Sequence, residues 1–162
     1  MKKRLFHALA FLMAAAGIAQ FSAVAQQKEV PGYVRADLFF NKTTANSIAG
    51  IRADPRFPNN PTEVRYLKFW EFPSGGDDGT APPGDVYNNY GTRLTGLLVP
   101  KATADYIFFL ASDDPSELWL STDDKEANKK RIALEPTWNP VRAWVATTRR
   151  NATTPENRSA PI

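Results

Sequence analysis

Residues 90–124 read YGTRLTGLLVPKATADYIFFLASDDPSELWLSTDD, and the spacing of their apolar side chains predicts three consecutive strands over 91–99, 105–111 and 117–121. In Tyr106-Ile107-Phe108-Phe109-Leu110-Ala111 both alternating faces are apolar, the pattern of a central strand buried on both sides. Each large side chain buried there would contribute about 1.5–3 kcal/mol. The connection 100–104 is short enough to make the strands flanking it antiparallel partners. Between the second and third strands lies the corner Ser112-Asp113-Asp114-Pro115. Two adjacent carboxylates at a strand-to-strand turn put hard oxygen ligands at the rim of a sheet, which suits calcium. Aspartate also caps turns by accepting from nearby backbone amides, and that reading needs no ion. Pro115 should bias Asp114 toward an extended backbone.

Working outward, Leu118-Trp119-Leu120 reads as part of an inner strand. Upstream, residues 32–40 form a first strand candidate, and 43–53 a short helix or turn ended by Asp54-Pro55. Residues 57–61 form a loop, and 64–72 an alternating strand. Downstream, 131–134 and 141–145 are weaker strand candidates, and from Thr147 the chain turns polar and reads as a loop. Short aromatic and β-branched runs punctuated by 13 Pro and nine Gly predict an all-β fold, a sandwich or barrel. The Gly- and Pro-rich insertion 73–89 contains Asp77-Asp78-Gly79, whose carboxylates fit either a metal or, more simply, a turn.

Residues 1–25 read as an export leader. Lys2, Lys3 and Arg4 precede an Ala-rich apolar stretch, and Ala23-Val24-Ala25 matches a small-x-small cleavage site. No later segment approaches the roughly 18 apolar residues of a membrane helix, so the expectation is no membrane insertion once the leader is removed. Residues 26–32 read as a short linker and 33–162 as one domain. The expected location is secreted, periplasmic or at the cell surface. The leader holds three of the 20 Lys and Arg and none of the 17 Asp and Glu, so the remainder is formally neutral and offers no basic footprint for nucleic acid. The chain has no Cys, and its one His, His7, lies in the leader. The exported part therefore has no imidazole or thiol for Ser-His or Cys-His catalysis or for a typical zinc site. Glu71, Glu117 and Glu135 are not placed by sequence as a carboxylate pair of the kind glycoside hydrolysis uses, so the chain is read as not an enzyme.

Tyr90-Gly91-Thr92-Arg93 with Gly96, Tyr106 and Phe108 with the Ser112-Asp113-Asp114 corner, Leu118-Trp119-Leu120-Ser121, Asp123-Asp124, Asn128, Trp138 and Trp144 together resemble the PA-fourteen domain. That module is named after anthrax protective antigen and occurs also in fungal adhesins, glycosidases and bacterial surface proteins. The upstream stretch 57–61 is similar to a segment of bacterial members, and the resemblance spans residues 33–162. It implies an antiparallel, jelly-roll-like β-sandwich. The family continues with further strands and a glycine-rich acidic loop, so the resemblance also implies a domain incomplete at its C-terminal end. In the adhesins, adjacent aspartates joined by a cis peptide hold calcium and support carbohydrate binding. Carried over, the metal residues would be Asp113 and Asp114. A non-proline cis bond costs about 3 kcal/mol and survives only where something such as an ion over-determines it.

Further oxygen donors near a strand end are Asp123, Asp124 and Asn128, which also fit a solvated turn. Aromatic side chains suit the apolar face of a sugar. Trp70, Trp138 and Trp144 read mainly as core, whereas Tyr87 and Tyr90, beside the polar insertion, are the candidates for an exposed ligand platform. The functional expectation is a secreted, non-catalytic carbohydrate-binding or adhesion module using calcium, with an extracellular or cell-wall glycan as partner. The alternative is a structural spacer or partner-docking domain of a larger bacterial surface protein, with no ligand of its own.

Overall fold

A computed structural model describes residues 30–73, 87–145, 147–148 and 155–162. The expected leader, the Asp77-Asp78-Gly79 turn, residues 26–29 of the expected linker and 74–86 of the insertion lie outside them.

The regular secondary structure of the described residues is mostly strand, in antiparallel sheets, as an all-β chain requires. Strand β1 (Val34–Phe39) is the middle of a three-stranded sheet between β2 (Glu63–Leu67) and β3 (Gly91–Thr95). Ala36 faces Arg65 on one side and Leu94 on the other. Every residue of β1 except Arg35 is buried, and Val34, Ala36, Leu38 and Phe39 form most of the apolar core. Asp37 is also buried there and accepts from Arg35 Nε at 2.7 Å. A carboxylate in such a place is tolerable only because it is paired.

After β1 the chain forms one short helix, α1 (Ile48–Ala53). Ser47 caps it by accepting from the Gly50 amide at 2.9 Å, satisfying one of the donors a helix start leaves over. Asp54, in an extended conformation, ends it. Arg56 then forks onto both Asp54 oxygens, at 2.9 and 2.7 Å, and donates to the Phe40 carbonyl at 2.9 Å. This fastens the loop to the end of β1, where Phe57 packs on Phe39 with ring centroids 5.4 Å apart.

The second sheet pairs β4 (Ser116–Leu120) with β5 (Lys130–Glu135). β5 supplies buried Ala133 and Glu135.

Four sequence expectations differ from the structure. Residues 105–111 are not the central strand: Ile107 and Phe109 are 38% and 40% exposed, and β1 holds the central position. The run 106–110 lies instead beside the tail. Tyr106 and Ile162 exchange backbone bonds of 2.9 and 3.0 Å, Ser159 N donates to the Phe108 carbonyl at 2.9 Å, and Leu110 N to the Asn157 carbonyl at 2.8 Å. Residues 157–162 are therefore a backbone partner rather than a free loop. Their polar side chains hid this, because ladder bonds use main-chain groups that every residue carries. Nor do the segments flanking 100–104 form a hairpin, since β3 ends at Thr95 and pairs with β1. Lastly, 141–145 is a turn rather than a strand. Arg142 has φ 56°, Ala143 N donates to the Pro140 carbonyl at 3.1 Å and Trp144 N to the Arg142 carbonyl at 2.9 Å.

Candidate functional site

The Asp113-Asp114 corner leads directly into β4, and both residues are exposed. It is tied down by the Asn139 amide, which donates to the Ser112 carbonyl at 2.8 Å. Asp114 has φ 67°, a left-handed conformation in place of the extended one that Pro115 suggested. Aspartate accepts that conformation better than most side chains, and non-glycine residues held there mark turns or functional corners. The cis peptides among the described residues are Phe57–Pro58 and Phe72–Pro73, so the Asp113–Asp114 bond is not the cis bond that the resemblance implied. Two residues on, Ser116 Oγ is buried without a hydrogen-bond partner. Among the described residues no three His, Cys, Asp or Glu side chains cluster as a metal site would.

Asp123 and Asn128 come together as parts of one turn. Asp123 Oδ1 accepts from Lys125 N at 2.9 Å and from Ser121 Oγ at 3.1 Å, and its Oδ2 accepts from Asn128 Nδ2 at 2.8 Å. The Lys125 amide, followed by the Asn128 and Ser121 bonds, holds the Asp123 carboxyl below its ordinary range against the opposing effect of burial. Asp124, beside it, is exposed.

Tyr87 and Tyr90 are half-buried rather than presented as an open platform. Phe40 stacks on Tyr87 at 5.4 Å and 13°, and Phe72 and Tyr90 pack on its other edges. Arg65 lies over both Phe72 and Tyr87, 5.7 and 5.6 Å from the ring centroids, and donates to the Tyr87 hydroxyl at 3.0 Å. This aromatic cluster already holds a cation of its own.

One constellation was missed in the sequence. Trp119, expected on an inner strand, is 40% exposed. Its indole N–H donates to Glu117 Oε2 at 3.1 Å. The same carboxylate takes Arg52 Nη2 at 2.6 Å on Oε2 and Arg131 Nη1 at 2.8 Å on Oε1. Arg52 also lies over the Trp119 ring, 5.8 Å from its centroid. Burial pushes the Glu117 carboxyl up, but the Arg131 and Trp119 hydrogen bonds and the charges of both arginines outweigh it and keep the group below its ordinary range. Glu117 and Trp119 are two apart on one strand, so period-2 alternation does put them on one face. The two arginines come from α1 and β5, which no local pattern joins to β4.

Other glutamates are engaged structurally. Glu71 pairs with Arg142 at 2.9 Å, and Glu135 is fully buried. Among the described residues no helix is long and apolar enough to cross a membrane.

No family model matches the chain, and no solved structure matches it. One stretch of 48 residues is 43% identical to the N-acetyl-beta-glucosaminyl-glycoprotein 4-beta-N-acetylgalactosaminyltransferase 1 of Mus musculus. That stretch is 30% of this chain and 5% of the mouse protein, so the likeness is confined to a small part of the relative.

Proposed function

We propose that the chain is an exported, non-catalytic carbohydrate-binding or adhesion module, a PA-fourteen-like domain whose two antiparallel sheets belong to a jelly-roll-like sandwich. The observation that carries this reading is the Asp113-Asp114 corner: two exposed carboxylates on a left-handed turn at the start of β4, with an unpartnered buried hydroxyl, Ser116 Oγ, close behind. In this reading Asp113 and Asp114 hold calcium. The ion neutralises the pair and supplies a Lewis-acidic contact for sugar hydroxyls. The engagement of Glu71 and Glu117 in ion pairs supports a non-catalytic role. So does the lack of any His or Cys after residue 25.

The test is a panel of extracellular and cell-wall glycans offered with calcium and with chelator. Calcium-dependent capture that disappears in Asp113→Asn is the expected result.

A second reading, a spacer or partner-docking domain, is favoured by one specific feature. Leu97, Leu98 and Val99 are 61%, 52% and 83% exposed. They adjoin an apolar groove of about 560 Å³ between Leu98, Tyr106, Phe108, Leu120 and Ile162. Exposed apolar patches of this kind commonly mark interaction surfaces. A silent glycan panel under both conditions leaves this reading in place of the first.

A further inference from the structure

The cluster around Trp119 has the parts of an acidic-sugar site. Its four side chains come from three elements: Arg52 from α1, Glu117 and Trp119 from β4, and Arg131 from β5. The β4–β5 register slips between Leu118 and Trp119. Leu118 faces Ala133, but Trp119 faces Arg131, and Ile132 is passed over. Such bulges commonly re-aim a side chain beside a functional site. Here the slip sets an exposed indole directly across from an exposed guanidinium.

Glu117 is the organiser. Its side chain is only 8% exposed, while those of Arg52 and Arg131 are 52% and 49% exposed. Each carboxylate oxygen takes one nitrogen from a different arginine, at 2.6 and 2.8 Å. A guanidinium carries five N–H donors, so both arginines keep donors turned to solvent. Two guanidiniums against one carboxylate leave one net positive charge beside the ring. A carboxylate this buried needs a partner, but one guanidinium forked onto both oxygens, as Arg56 is on Asp54, would supply it, so pairing alone explains neither the doubled arginine nor the exposed indole.

We propose that Trp119, Arg52 and Arg131 form a binding site for a glycan residue bearing a carboxylate, a uronic or sialic acid, with Glu117 as its positioning residue. The part of the indole that Arg52 leaves exposed receives the apolar face of the sugar ring, and the free guanidinium donors receive the carboxylate as charge-assisted hydrogen bonds. This rests on reading the chain as a glycan-binding module, but it does not need calcium.

The experiment is titration of the full chain, in chelator, with trigalacturonate against its methyl ester and with sialyllactose against lactose. The ester keeps the ring and removes the charge, and the two pairs separate a uronic from a sialic source. The expected result is saturable binding of at least one acid form that weakens with added salt. The neutral counterpart, or Arg52→Gln, Arg131→Gln or Trp119→Ala, should bind about tenfold or more weakly, the scale of one charged hydrogen bond. Arg142→Gln, an exposed arginine paired elsewhere with Glu71, should bind like the unmodified chain. Because the ester changes the ligand and not the protein, the comparison stands even if a variant folds poorly. Equal binding of acid and neutral forms overturns the site. So does a melting shift in Arg52→Gln with acid binding unmoved, which would make the cluster a clamp between α1 and β4. Calcium-dependent binding of neutral glycans alone overturns it while leaving the proposed function standing, and no binding under any condition removes both.

Discussion

At Gly50 the backbone leaves no room for a methyl group. A Cβ there would run into the Ala45 carbonyl, a main-chain group with little freedom to retreat. Helix propensity alone says that Gly→Ala in a helix gains up to about 1 kcal/mol. The clash decides the sign, and Gly50→Ala is expected to lose about 1–3 kcal/mol in a urea unfolding curve. Asp54 gives a pH prediction. The Arg56 hydrogen bonds hold its carboxyl at about 2, down from 3.8. A carboxyl depressed by folding contributes stability that is fully present above its ordinary value and is lost as pH falls through the folded value. Acid should therefore erode this contribution between pH 3.8 and about 2, and Asp54→Asn should flatten that part of the stability profile. Glu63, Glu117, Asp123 and Glu126 are depressed as well, so they act in the same direction. Single residues were the most legible level of the candidate site. The Asp113-Asp114 corner stands out from neighbours in the chain alone. The Trp119 cluster does not, because Arg52 meets Glu117 across 65 positions and a bulge sets where Arg131 lies.

Elements were read well where periodicity and burial agree. β1, β2, β4 and β5 fall inside or across the runs set by alternation, and Asp54 ends α1 where expected, although the helix starts only at Ile48 within the 43–53 run. The failure was 105–111. Apolarity on both faces implied cover on both faces, but its partner is the polar tail, and Ile107 and Phe109 stay exposed. Asn157 anchors that tail. It is buried, and its Nδ2 donates to the carbonyls of Leu110 at 2.9 Å and Trp144 at 3.2 Å. Asn157→Ala leaves both acceptors without this donor and should cost about 1–3 kcal/mol. Hydrogen exchange should find the amides of Tyr106, Phe108 and Leu110 slower than those of Ile107 and Phe109, since only the first set bonds to the tail. Equal exchange along the run would mean that the tail does not pair.

For the whole molecule, an all-β antiparallel chain followed from composition and punctuation, whereas the order β2-β1-β3 could not, since pairing partners are set by tertiary contacts far apart in sequence. The account depends on one claim about the rim of that architecture: Asp113 and Asp114 bind calcium. Calcium titrated by calorimetry into the chelator-treated chain, with melting followed in parallel, tests it most directly. The prediction is one saturable site whose occupancy raises stability by about 2.7 kcal/mol at a hundredfold excess over its Kd. Both effects should be absent in Asp113→Asn. A wild-type chain that takes up no calcium and melts identically with ion and with chelator would contradict the account.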